Sequence, residues 1–131
     1  MQKREINPTD WLEGFNVNHA VEVTGGQRTL YLSGQTSTDA EGAAMHAGDI
    51  VAQFKLAWAN LKDAVAEAEM EPGNIVRLKF YTTDVGAFMA AAGDLVPIYA
   101  ADGCKPAGTL LGVTALFEPE VMIELEATAV A

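Results

Sequence analysis

Asp49-Ile50-Val51-Ala52-Gln53-Phe54-Lys55-Leu56-Ala57-Trp58-Ala59-Asn60-Leu61-Lys62-Asp63-Ala64-Val65-Ala66-Glu67-Ala68-Glu69-Met70 carries the clearest periodicity in the chain. Ile50, Phe54, Trp58, Leu61, Val65 and Ala68 recur at steps of three and four, which draws one apolar face along a helix. Asp49 suits the positive helix N-terminus, and Pro72-Gly73 is expected to end the helix. A helix with a single apolar face must bury it against another layer, and the flanking segments offer strands for that layer.

Upstream, Val17 to Val23 reads as a strand, with Val17, Val21 and Val23 near a period of two. Thr24-Gly25-Gly26-Gln27 is a turn signal, and Thr29-Leu30-Tyr31-Leu32-Ser33 is a second strand, so a hairpin is expected. Residues 1–15 read as an irregular N-terminal segment and 34–48 as a loop. Downstream, Ile75 to Thr82 alternates Val76, Leu78 and Phe80 with Arg77, Lys79 and Tyr81. Asp84 can cap a helix over 85–101 that carries Phe88, Ala92, Leu95 and Tyr99 on one side, with Gly93 and Pro97 as potential kinks. Strands follow over 109–116 and 121–130. The order β-β-α-β-α-β-β makes an α+β, two-layer sandwich, with two helices on one mixed sheet. The chain is read as one domain, 1–131. The sheet face away from the helices is expected to be apolar enough to need a partner, which favours an oligomer.

Composition narrows the function classes. The chain has 131 residues, of which 50% are hydrophobic, so a core is available. Eight Lys and Arg stand against eighteen Asp and Glu, a net charge of −10. Nucleic acid, which is held by basic patches, is therefore not an expected partner, and neither is an anionic membrane. No apolar run approaches the ~20 residues of a membrane helix. Met1-Gln2-Lys3-Arg4-Glu5 leads into no apolar signal segment, and the expected location is cytoplasmic. Cys104 stands alone, so no internal disulfide forms and no metal cluster is expected. No cofactor motif is present.

His19 and His46 also stand alone; each reads as a surface or hydrogen-bonded structural residue or, alternatively, as a base. In Met122-Ile123-Glu124-Leu125-Glu126-Ala127 the apolar residues take one face of a strand and the two carboxylates the other, about 6.5–7 Å apart. That pattern fits a solvated strand face. From spacing alone that is the favoured reading; the alternative is a carboxylate pair lining a cleft, one member holding a water. Ser33-Gly34-Gln35 closes the second strand, where Gly34 permits close backbone approach.

These residues resemble a known family. Leu30-Tyr31-Leu32-Ser33-Gly34-Gln35 is similar to the Ser-Gly-Gln motif of the RidA/YjgF (reactive intermediate deaminase) family. Asp49-Ile50-Val51-Ala52-Gln53 with Asn60-Leu61, Asn74-Ile75-Val76-Arg77 with Tyr81-Thr82-Thr83-Asp84, Pro106-Ala107, and Ile123 to Val130 resemble its further motifs in order, over about residues 15–131. The resemblance implies a chorismate-mutase-like sandwich, a homotrimer closed into a trimeric barrel, and small-molecule clefts between subunits. It implies hydrolysis of reactive enamines and imines, such as 2-aminoacrylate, to ketoacids and ammonia, in a family often labelled endoribonuclease L-PSP. It assigns the catalytic role to Glu124, as the holder of the hydrolytic water. It matches Ser33 to the family's site serine, and the substrate-binding residues expected in this chain are Ser33, Gly34, Gly108, Thr109, His19 and Phe88.

The family's carboxylate-anchoring arginine follows Pro-Ala, whereas here Pro106-Ala107 leads to Gly108. The family's N-terminal site tyrosine is replaced by the stretch Phe15-Asn16-Val17-Asn18-His19. The expected function is therefore a deaminase acting on a substrate other than the usual 2-imino acids. The alternatives are a non-catalytic small-molecule binder or sensor and, least supported by the charge, an endoribonuclease. Gly108→Arg is expected to raise activity toward imino acids if the cleft has room.

Overall fold

The computed structural model describes residues 1–131. Its strands are β1 (Gln2–Ile6), β2 (Ala20–Thr24), β3 (Thr29–Thr36), β4 (Ile75–Thr82), β5 (Ala107–Gly112) and β6 (Ile123–Val130). Its helices are α1 (Ile50–Glu67) and α2 (Val85–Ala100). The fold is mixed α+β, with two sheets and two helices. The larger sheet runs β3-β6-β4-β5, and β1 and β2 form a separate pair. β4 and β5 are parallel, while β6 is antiparallel to both β3 and β4.

α1 and β4 form where their patterns place them. Asp49 caps α1 by accepting from the Ala52 N–H at 3.0 Å, and Asp84 caps α2 by accepting from Ala87 at 2.9 Å. α1 stops before Pro72: Glu69 adopts a left-handed φ of 57°, and Pro72–Asn74 form a short 3-10 turn beyond it. Pro97 lies inside α2 without ending it. Phe54, Trp58, Leu61 and Val65 from α1 meet Leu78 and Phe80 from β4 and Ile123, Leu125 and Ala127 from β6. Each such large side chain, fully buried, contributes about 1.5–3 kcal/mol. The Phe54 and Phe80 rings stack with centroids 6.1 Å apart.

Three expectations are corrected. Residues 1–15 are not wholly irregular, because β1 pairs with β2 from Gln2↔Thr24 to Ile6↔Ala20. Its sequence is polar and carries no strand period; main-chain pairing and the Arg4–Glu22 ion pair at 3.3 Å hold it. The order therefore gains a strand, β-β-β-α-β-α-β-β. The β2–β3 hairpin does not form. Beyond the turn, Gln27 and Arg28 donate to the Ala131 carbonyl, and β3 zips onto β6. There Leu30 and Leu32 lie opposite Ala129 and Ala127 on the helix-covered face. Finally, the uncovered face is mainly polar. It presents Arg77, Lys79 and Tyr81 of β4 beside Glu124 and Glu126 of β6, with Tyr31 and Leu111 as its exposed apolar members.

Hydrogen bonds of two buried α1 side chains, Gln53 and Trp58, fix the connections. The Gln53 amide donates to the Glu120 carbonyl at 2.7 Å and accepts from the Met122 N–H at 2.8 Å, pinning the approach to β6 against α1. The Trp58 indole N–H donates to Asp102 Oδ2 at 2.7 Å, and Lys62 Nζ lies 2.9 Å from the same oxygen. The half-exposed Lys62 pair adds little, but the indole is buried. Asp102→Ala is expected to cost about 1–3 kcal/mol by stranding that N–H, and Asp102→Asn, which keeps an acceptor, distinctly less. Denaturant melts of the two variants check this.

Candidate functional site

β3 and β6 lose register between Leu32 and Gln35. Leu32 faces Ala127 and Gln35 faces Leu125, so Ser33 and Gly34 together oppose Glu126. The bulge brings Gly34 against the neighbouring carboxylate. A Cβ at Gly34 would stand 2.5 Å from Glu124 Oε2 and 2.6 Å from its Cδ. Glycine leaves the carboxylate the space that a side chain would take, and a Cβ here would displace it. Ser33 is exposed at the same bulge. Asn60 of α1 donates to the carbonyls of Thr36 and Thr38, both at 3.0 Å, and holds the end of β3 in place.

Glu124 is half-buried, with Thr36 and Tyr81 as its cross-strand partners. Burial holds its carboxyl above the 4.5 of an unperturbed glutamate, and the charge of Glu126 adds in the same direction. Glu126 is itself engaged: Lys79 Nζ lies 3.3 Å from Oε1, and the Tyr81 hydroxyl donates to the same oxygen at 3.4 Å. Glu124 has neither partner. The two carboxylates that sequence spacing left equivalent thus differ: Glu126 is paired, and Glu124 is unpaired with its carboxyl raised by burial, as suits an acid–base group.

The other predicted residues lie elsewhere. Thr109 on β5 accepts from Arg77 Nη2 at 2.5 Å. A Cβ at Gly108 would meet Val17 Cγ1 at 2.8 Å and Phe80 Cε2 at 3.5 Å. His19 is tied into the N-terminal loop, its backbone N–H donating to Asn7 Oδ1 at 2.9 Å and its ring lying 3.3 Å from Thr9 Oγ1. Phe88 is a core residue of the subunit, 6% exposed, with its ring centroid 5.8 Å from Phe80. Its position in the apolar stripe of α2 already marked it as core. Cys104 is fully buried and its thiol is pushed up to about 12, chiefly by burial, so it is inert. No group of three or more His, Cys, Asp or Glu is arranged to hold a metal.

Asn18 is a functional-site support that sequence reasoning missed. Fully buried, it donates through its backbone to the Pro106 carbonyl at 2.7 Å and through Nδ2 to the Lys105 carbonyl at 2.8 Å. It also accepts from Asn7 at 2.8 Å. It thereby docks the 16–18 strip beside the start of β5, and Val17 fills the space in front of Gly108. A cleft of about 480 Å³ lies on the outer side of Val17, lined by Asn7, Thr9, Asp10, Glu13 and Lys105. It is not at Glu124.

The space at Gly108 decides one expectation. Its φ is outside the left-handed region, so the backbone admits any residue. Val17 is the obstacle. Gly108→Arg alone is expected to lose about 1–3 kcal/mol by overpacking and to gain no activity. Adding Val17→Ala should recover part of the stability, which thermal melts of the single and double variants measure.

A bulged, glycine-floored carboxylate on a four-stranded mixed sheet under two helices defines a Rid-type protein. The family described as Endoribonuclease L-PSP matches residues 15–131, and the chain belongs to this RidA/YjgF family. It is 34% identical over 113 residues to Protein DfrA of Myxococcus xanthus, covering 86% of this chain and 83% of that one. The crystal structure of YyfB from Yersinia pestis, a Rid-family protein of unknown function, superposes over 100% of both chains with a TM-score of 0.87 and 36% identity. TdcF of E. coli, crystallised with bound serine, shares the fold with a TM-score of 0.70 at 22% identity, over 98% of this chain and 99% of that one.

Proposed function

We propose that the protein assembles as a homotrimer with small-molecule clefts between subunits. In each cleft Glu124 holds and activates a water that hydrolyses an enamine or imine other than the usual 2-imino acids. The observation that carries this reading is the division of the predicted site between opposite edges of the sheet. Ser33, Gly34 and Glu124 gather at the β3 edge, while Gly108 and Thr109 lie on the β5 edge. Glu124 is registered with Tyr81 and Gly108 with Leu78, so within one subunit they lie three residues along and two strands across, roughly 14 Å apart. No small molecule touches both. A ring in which the β3 edge of one copy meets the β5 edge of the next joins the halves, and such head-to-tail contacts close into cyclic oligomers.

Gly34 supports the catalytic part, since it seats the Glu124 carboxylate, and the upward shift of that carboxyl suits an acid–base group. A second reading, a non-catalytic binder in the same clefts, is favoured by Val17 standing where the family arginine would extend. Endoribonuclease action has the least support at a net charge of −10. No helix is long and apolar enough to cross a membrane, and the proposed setting is the cytoplasm. Light scattering behind a sizing column should give three times the 13.9 kDa of one chain. A single-chain mass at micromolar concentration would remove the cleft and the reading with it.

A further inference from the structure

Two of the three guanidiniums in the chain have no carboxylate partner, and one of them, Arg77, lies on the sheet face that carries Glu124. Arg4 pairs with Glu22, and Arg28 donates to the Ala68 carbonyl at the end of α1. Arg77 makes one side-chain hydrogen bond, to Thr109 Oγ1, and no ion pair. It is half-buried on the uncovered sheet face and registered opposite Ala107, so its side chain runs along β5 past Gly108 to reach Thr109. An arginine has five N–H donors in a planar fork, and one is committed here. Lys79, two residues on along the same face, is paired with Glu126. With Lys79 and Glu126 paired, Arg77 and Glu124 are the two charged groups of this face left without an ion-pair partner, at opposite ends of it.

We propose that Arg77, oriented by Thr109, is a carboxylate-binding subsite at the β5 edge, so that the ligand of this protein is a small carboxylate-bearing molecule anchored from β4 instead of from position 108. This rests on the ring assembly, which sets the β5 edge of one subunit against the Glu124 edge of the next. Thr109 engages one nitrogen and leaves the rest of the fork for a two-pronged contact with a carboxylate. The hydroxyl keeps the long side chain extended along the strand, which lowers the entropy lost when a ligand binds. The anchor lies on the same sheet face as Glu124, whereas a Cβ at position 108 is directed at Val17 and Phe80. A ligand held by its carboxylate at Arg77 would reach across the subunit boundary with its reacting carbon toward Glu124.

The probe is 2-oxobutanoate, with its methyl ester as the uncharged control, titrated by calorimetry into wild type, Arg77→Gln, Arg77→Lys and Thr109→Val. Arg77→Gln should weaken the carboxylate about 10- to 150-fold, the range of one charged hydrogen bond, and leave the ester unchanged. Arg77→Lys, which keeps the charge and loses the fork, should fall between, and Thr109→Val should weaken binding several-fold, roughly 3- to 10-fold, as a neutral hydrogen bond does. Equal affinity of wild type for acid and ester overturns the proposal, as does undiminished binding in Arg77→Gln. If Arg77→Gln fails to assemble on a sizing column, the Arg77→Lys and Thr109→Val titrations decide. Carboxylate binding that depends on Arg77 in a protein without hydrolytic activity would leave the subsite standing and remove only the catalytic reading.

Discussion

Glu124→Ala is expected to lower turnover of any enamine or imine this protein hydrolyses by about 10²- to 10⁴-fold, the contribution of a positioned acid–base group. Gly34→Ala should approach the same loss without touching the carboxylate chemically, because its methyl would claim space 2.5 Å from Glu124 Oε2 and force the side chain aside. The pH dependence identifies the group. A base acts ionised, so activity falls as pH drops through its pKa, and the acid limb of kcat/KM should lie above the 4.5 of an ordinary glutamate. Glu126→Gln removes the second cause of the upward shift and should move that limb to lower pH, with burial keeping it raised. The stability sign runs the other way. A carboxyl with a raised folded pKa binds its proton more tightly in the native state than in the unfolded chain. Its contribution therefore favours folding below the unfolded pKa and is lost as pH rises through the folded one. Glu124→Gln should thus melt higher than wild type at neutral pH while turning over less. A melt unchanged between acid and neutral pH, with a limb at the ordinary value, would mean that Glu124 is solvated and not poised.

The elements legible in the sequence are those in which one period dominates. α1 and β4 carry their apolar stripes into the core; β4 has the expected bounds, and α1 ends a few residues earlier than expected. The Ser33-Gly34-Gln35 and Glu124 motifs were legible as residues, but their contact was not. It depends on a two-residue bulge, which no local pattern encodes. The polar strand β1 was illegible because its partner, β2, supplies the pairing and its own side chains stay in water. The false hairpin came from reading a turn as a pairing instruction; β6, with Ala127 and Ala129 opposite Leu32 and Leu30, offers β3 a buried face that β2 does not. The filling of the space at Gly108 by Val17 was invisible for a similar reason. Val17 reads as part of a strand, but it is held at β5 by the side chain of Asn18, whose burial makes it a hydrogen-bonding hub.

Subunit complementation tests the central geometric claim. If each site joins the β3 edge of one copy to the β5 edge of the next, two variants inactive in different halves must rescue each other. Glu124→Ala disables the β3 half. Arg77→Gln disables the β5 half, with Thr109→Trp as the substitute if Arg77→Gln keeps activity. Assayed at substrate well below the KM of the weakened variant, each has little activity as a homo-oligomer, because every site then contains the defect. Co-refolded at equal amounts, the chains assort randomly around the ring. A given boundary then joins one intact half to another with a probability of about one quarter, which sets the recovered activity at about a quarter of wild type. Mixing Glu124→Ala with Gly34→Ala is the control, since both damage the same half and no arrangement repairs it. Recovery in the first mixture and none in the second requires a site shared between subunits. Absence of recovery in both, with mixed oligomers verified by mass, would place the whole site within one chain. The roughly 14 Å between Glu124 and Gly108 in the subunit makes that second outcome incompatible with a small substrate touching both.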